Sequence, residues 1–344
     1  MSQTTKSRIE SLRSRTGNRG PTIRVVVALV AACAAALAAV PAAANPTHPN
    51  GQIAFARFDP SLDDTVFYTI NPDGTQEKQV VPFALECPNW SPDGTRLASC
   101  GGPDGSSTAI VNPDTGDYRL LPMPQPGLLT FCYLWTPDMT RLACESFGET
   151  DGSLNGIYTV RTSDGRDLQR VTSIPNGDDT PVAYSPNGKR LAFIRTDPDG
   201  NSLGLFVAKY DGTHQRQIAP AGVTCCEAGW SPQGNNLVFS RHVTPDVHSS
   251  LWIVHADGTG LREIPAQPTF GCGGLNSDPN QGGCFDPRWS PDGTQVVFGN
   301  GDDTLGRNIW TVRPDGSGLT QVTHGDASQS NEAPDWGRHP LARE

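Results

Sequence analysis

Positive charge, apolar bulk and recognisable catalytic motifs are all scarce in this chain. Of its 344 residues only 36% are hydrophobic and 7% aromatic. The formal net charge is −10, which argues against nucleic acid and anionic membrane as partners. There is no G-x-S-x-G elbow to present a serine nucleophile. No G-x-G-x-x-G follows a strand pattern, and there is no Walker loop. The nine cysteines include no C-x-x-C, and no Cys/His spacing matches a zinc site. These absences point away from the common hydrolase, dinucleotide, P-loop and zinc-module classes.

The one long apolar run, Val25 to Val40, sits behind a basic stretch containing Lys6, Arg8, Arg13, Arg15, Arg19 and Arg24. Ala42-Ala43-Ala44 follows as an A-x-A cleavage site. Residues 1–44 therefore read as a Sec-type signal, too short and Ala-rich for a membrane span. A lipobox at Val30-Ala31-Ala32-Cys33 offers a lipoprotein alternative, and an uncleaved N-terminal anchor is a third reading. There is no adjacent Arg pair for a twin-arginine route. Without this segment the chain has 20 basic and 35 acidic residues, a net of −15. Periplasm, cell wall and medium all fit such a signal.

Abundant instead are Gly (37) and Pro (30), and they recur in phase. "WSPDGTRLAS" begins at Trp90, "WTPDMTRLAC" at Trp135, "YSPNGKRLAF" at Tyr184, "WSPQGNNLVF" at Trp230 and "WSPDGTQVVF" at Trp289. A truncated "WGRHP" begins at Trp336, and the anchors are 45, 49, 46, 59 and 47 residues apart. In the full WSPDG pattern Pro presets the first turn angle, Asp can bond its own backbone and Gly accepts a left-handed conformation. About twenty residues further on, alternating apolar residues flank Asp-Gly, a hairpin pattern. Four short strands per repeat make a propeller blade, with the aromatic anchors wedged between neighbours. "PNGQIAFAR" from Pro49 lacks an aromatic strand and "APDWGR" from Ala333 lacks a successor. Pairing the two closes an all-β ring of six four-stranded blades, spanning 45–344, in which the C-terminal strand joins the first blade.

With these residues in view, the sequence resembles the TolB-type β-propeller family, whose WD-like repeats carry WSPDG turns and DG hairpins. The match covers roughly residues 49–338, without the α/β domain that precedes the propeller in TolB. The resemblance implies a six-bladed propeller and, less directly, a role in the cell envelope.

The eight cysteines after the signal favour disulfides in an exported protein. Cys87 and Cys132 each lie three residues before an anchor Trp, and Cys100 and Cys144 lie ten and nine residues after it. Both pairs straddle the turn, which predicts Cys87–Cys100 and Cys132–Cys144. Cys272 and Cys284 bracket a Gly-rich insertion and are expected to close it. Cys225 and Cys226 then form a vicinal pair or exchange partners with Cys272 and Cys284.

The SPDG and DG turns share one face of the disc, and the more variable loops share the other. Just before the anchors lie Glu86, Asp179, Glu227, Asp286 and Glu332, one in each of five blades, expected to ring the channel mouth. Asp63-Asp64 and Asp302-Asp303 add negative charge on that face. Candidate metal residues are Asp197, Asp199 and Asn201, an incomplete calcium-loop pattern, and His242 with His248 in one loop. The function expected is a non-catalytic, monomeric module that binds a protein or peptide at the loop-rich face and needs no cofactor. The alternative is a propeller hydrolase, lactonase or lyase holding a divalent ion such as Ca2+ in its channel.

Overall fold

The aromatic–Ser–Pro–Asp–Gly stretches fold as tight turns built the same way each time. At Trp90-Ser91-Pro92-Asp93-Gly94, the Gly94 amide donates to the Ser91 carbonyl at 2.8 Å, and the Ser91 amide to the Arg96 carbonyl at 2.8 Å. The Ser91 hydroxyl donates to Asp93 Oδ1 at 2.6 Å, and the same oxygen accepts from the Thr95 amide at 3.0 Å. Gly94 sits at φ +73°, where a side chain would meet the backbone of His339. Ser290, Asp292 and Gly293 repeat the arrangement.

These turns organise six four-stranded antiparallel blades in a ring. A computed structural model describes residues 49–103, 107–122, 125–242, 249–265, 283–302, 306–326 and 328–343, apart from the side chains at 224–227, 242, 283–284 and 302. The first blade contains β1 (Ile53–Asp59), β2 (Asp64–Ile70) and β3 (Lys78–Gln79), and the final strand β24 (Asn331–Trp336) joins it innermost, Ile53 opposite Trp336. The second has β4 (Asn89–Trp90), β5 (Leu97–Ala98), β6 (Thr108–Val111) and β7 (Tyr118–Leu121). The third has β8 (Leu128–Trp135), β9 (Arg141–Gly148), β10 (Gly156–Arg161) and β11 (Gln169–Arg170). The fourth has β12 (Asp178–Tyr184), β13 (Arg190–Thr196), β14 (Ser202–Lys209) and β15 (Arg216–Ala219). The fifth has β16 (Val223–Trp230), β17 (Asn236–His242), β18 (Ser249–His255) and β19 (Arg262–Glu263). The sixth has β20 (Gly283–Trp289), β21 (Val296–Asp302), β22 (Gly306–Val312) and β23 (Thr320–Gln321). One parallel bridge, Ser249 to Gly283, links the fifth and sixth.

The anchors do the wedging expected of them. Trp90 packs with Ala54 and Phe67 of the first blade and with Leu97 and Val111 of its own. Trp336 packs with Val297 and Ile309 of the sixth blade and Ile53 and Phe55 of the first. Tyr184 takes the same seam position between the third and fourth. Each seam is therefore a strip of core, and burying its aliphatic side chains contributes roughly 1.5–3 kcal/mol apiece before conformational entropy is counted. Among the described residues no helix is long and apolar enough to cross a membrane.

Candidate functional site

The innermost strand of each blade, β24, β4, β8, β12, β16 or β20, lines the central channel. At its turn-side end the residue before each anchor helps enclose a cavity of about 450 Å³: Asn89, Leu134, Ala183, Gly229, Arg288 and Asp335. Asp335 Oδ2 accepts from the Trp90 amide at 2.7 Å. Burial raises the Asp335 carboxyl above its usual range, and Arg288 pulls it back.

At the loop-rich end the acids are not spread evenly. Asp64, Glu86, Glu332 and Asp286 gather on an arc of the sixth, first and second blades. Partial burial raises the exposed Glu86 carboxyl, with further pushes from Asp64 and Glu332. Burial drives Asp286 up to about 6; Arg288 opposes that shift, Glu332 adds to it, and the Ala333 amide and Arg307 oppose it. Glu332 is paired with a cation: Arg307 Nη1 lies 3.0 Å from its Oε2.

The backbone explains the arc. Cys87, Asp286 and Ala333, each three residues before a Trp, have φ of 54°, 50° and 49°. Each precedes a proline, in Cys87-Pro88-Asn89-Trp90, Asp286-Pro287-Arg288-Trp289 and Ala333-Pro334-Asp335-Trp336. The pairing of β20 with β21 and of β24 with β1 shifts register at this point. Such a bulge re-aims the side chains around it. The shared x-Pro-x-Trp spacing was the sequence signal for the arc, and strand alternation alone passes over it.

The other expected residues are placed differently. Asp179 is fully buried on β12, held by Arg195 through two contacts of 2.6 and 2.8 Å. Glu227 lies on β16, with its side chain outside the described residues, as are those of Cys225, Cys226, Cys284, His242 and Asp302. Cys272, His248 and Asp303 lie outside them altogether. Asp63 takes φ 52° in the turn before Asp64. Asp197 Oδ1 accepts from the amides of Asp199 and Asn201, both at 2.9 Å, and from the Asn201 side chain. Its carboxylate holds its own turn together, which accounts for the Asp197, Asp199 and Asn201 spacing.

Two groupings arise that spacing did not announce. Asp178 on β12 and Glu145 on β9 meet across a seam, where the Thr180 hydroxyl lies 2.9 Å from Glu145 Oε1 and 3.1 Å from Asp178 Oδ2. Burial raises Asp178, against the pull of its bonds to Glu145 and Thr180. The second grouping surrounds a disulfide. Cys132–Cys144 and Cys87–Cys100 both form, at Cα separations of 3.9 and 5.5 Å. Beside the latter, Glu86 Oε2 lies 3.9 Å from the Cys100 sulfur.

No protein-family model and no curated protein matches the sequence. Among solved structures, TolB from Acinetobacter baumannii aligns at 17% identity and a TM-score of 0.63, over 83% of this chain and 66% of that one. A TolB structure from Agrobacterium tumefaciens aligns at 16% identity and 0.57, over 83% of this chain and 98% of that one. An oligogalacturonate lyase in complex with manganese aligns at 15% and 0.52, over 76% and 71%. Identity this low speaks to architecture, and on that ground the chain has a TolB-like six-bladed β-propeller fold.

Proposed function

We propose that this propeller is an exported, non-catalytic binding module of the cell envelope, taking a protein or peptide at the loop-rich mouth of its channel. The observation that carries the reading is the acid arc of Asp64, Glu86, Glu332 and Asp286, in which Asp64 and Glu332 push the Glu86 carboxyl up and Glu332 pushes Asp286 up. A basic segment of a partner relieves that repulsion and gains steering from it. Rigid seams between blades support a fixed rim of loops, the arrangement on which recognition sites are commonly carried. The fold likeness to TolB supports this reading without deciding it, because one fold hosts many functions.

The second reading, a propeller enzyme with a divalent ion in the channel, is favoured by the fold likeness to the manganese-bound lyase. A pull-down of envelope proteins with the wild-type chain, set beside a chain carrying Asp64→Asn, Glu86→Gln and Glu332→Gln, separates the readings. The binding role predicts partners that weaken with salt and disappear with the substitutions. An unchanged set of partners removes the acid arc from consideration. Lyase activity on acidic polysaccharide, dependent on added metal, establishes the second reading instead.

A further inference from the structure

The two disulfides hold corresponding places in adjacent blades, yet their surroundings differ. Cys132 and Cys144 are 4% and 0% exposed and sit directly opposite each other on the eight-residue strands β8 and β9. Cys87 and Cys100 lie beyond the two-residue pairing of β4 with β5, where a lone bridge joins Glu86 to Gly101. One oxygen of the exposed Glu86 and the two sulfurs all lie within 4.8 Å of one another. Nothing comparable is built around Cys132–Cys144 among the described residues.

Two sulfurs and a carboxylate oxygen are donors that zinc accepts. With Zn–S near 2.3 Å and Zn–O near 2.1 Å, tetrahedral angles put an oxygen and a sulfur about 3.6 Å apart and two sulfurs about 3.8 Å apart. Glu86 Oε2 stands 3.9 Å from the Cys100 sulfur already. Once the S–S bond opens, the sulfurs must part by roughly 1.7 Å. Side-chain rotation allows this at a Cα separation of 5.5 Å, outside the ladder, without breaking strand pairs.

We propose that Cys87, Cys100 and Glu86 form a redox-gated site for a zinc-like divalent cation, closed as the disulfide and opened by a dithiol reductant. A thiolate of the dithiol attacks one cysteine sulfur, breaking the S–S bond and forming a mixed disulfide. Its second thiol then displaces the attached cysteine. Two electrons have passed to the cysteine pair, and the dithiol leaves as a cyclic disulfide. The cation takes the place of two thiol protons, which go to solvent, and Glu86 supplies the third ligand. Water fills the fourth position. The site does not depend on the partner-binding role proposed above.

The test uses the full chain, treated briefly with dithiothreitol, desalted under nitrogen and titrated with Co2+ and then Zn2+. The reduced chain is expected to show thiolate-to-cobalt charge-transfer absorption, which the oxidised chain lacks. Zn2+ is expected to shield Cys87 and Cys100 from iodoacetamide, as mapped by peptide mass, with Cys132–Cys144 still bonded. Glu86→Gln is expected to weaken Zn2+ at least tenfold, and Cys87→Ser with Cys100→Ser to abolish the charge-transfer band. Equal alkylation of Cys87 and Cys100 with and without Zn2+ overturns the proposal, whatever the variants do. So does a charge-transfer band that survives in the double serine chain, or loss of the β-sheet circular dichroism on reduction.

Discussion

Asp286 shows what a short x-Pro-x-Trp stretch does to one carboxylate. The unfolded chain loses this proton near pH 4, whereas the folded chain keeps it to about 6. Between those values the folded state binds the extra proton, so this residue's contribution is fully present below about pH 4 and is lost as pH rises through 6. Asp286→Asn is therefore expected to be more stable than wild type at pH 7, by on the order of 2 kcal/mol, with the gain gone at pH 4. Urea unfolding at pH 4, 5.5 and 7 measures it, and a pH-independent difference contradicts the assignment. At this scale the sequence was only half legible. The acids before the anchors could be found by position, but Asp179 is consumed by Arg195 and Asp178 meets Glu145 from another blade. Neither partner is visible from local spacing, because both contacts join separate strands.

Strands and turns were far more readable, since each rests on local chemistry. Pro, Asp and Gly specify the turns, and alternating apolar residues specify the flanking strands. What escaped was strand length: β4 is only two residues long, and Pro88, which has no amide hydrogen to donate, stands just before it. The disulfides follow the same division. Cys132 and Cys144 join two long strands in a buried setting, at a sequence separation of 12. Replacing both with Ala is expected to cost about 3 kcal/mol. The same change at Cys87 and Cys100, outside the ladder, is expected to cost less. Urea midpoints of the two variants provide the comparison, and a larger loss from the Cys87 pair contradicts it.

For the whole molecule, the repeat period and the two incomplete copies already implied six blades and their closure. Which blades carry the acid arc was not implied, since that depends on where bulges turn the innermost strands. Closure rests on β24, which pairs with β1 and places Trp336 in the last seam. A chain ending at Ser330 leaves β1 as an open edge and takes the wedge out of that seam. It is expected to lose its single cooperative unfolding transition and to self-associate, as read by urea titration and sedimentation velocity. A synthetic peptide of residues 331–343 should reverse both changes. A truncated chain that remains monomeric and cooperative would show that the ring does not need this strand.

The join between β1 and β24 also imposes an order of events. Five blades can form from neighbouring stretches of chain, but the first has to wait for the tail. Until Trp336 arrives the circle stays ajar, so the residues that begin the ring are the last to be locked in place.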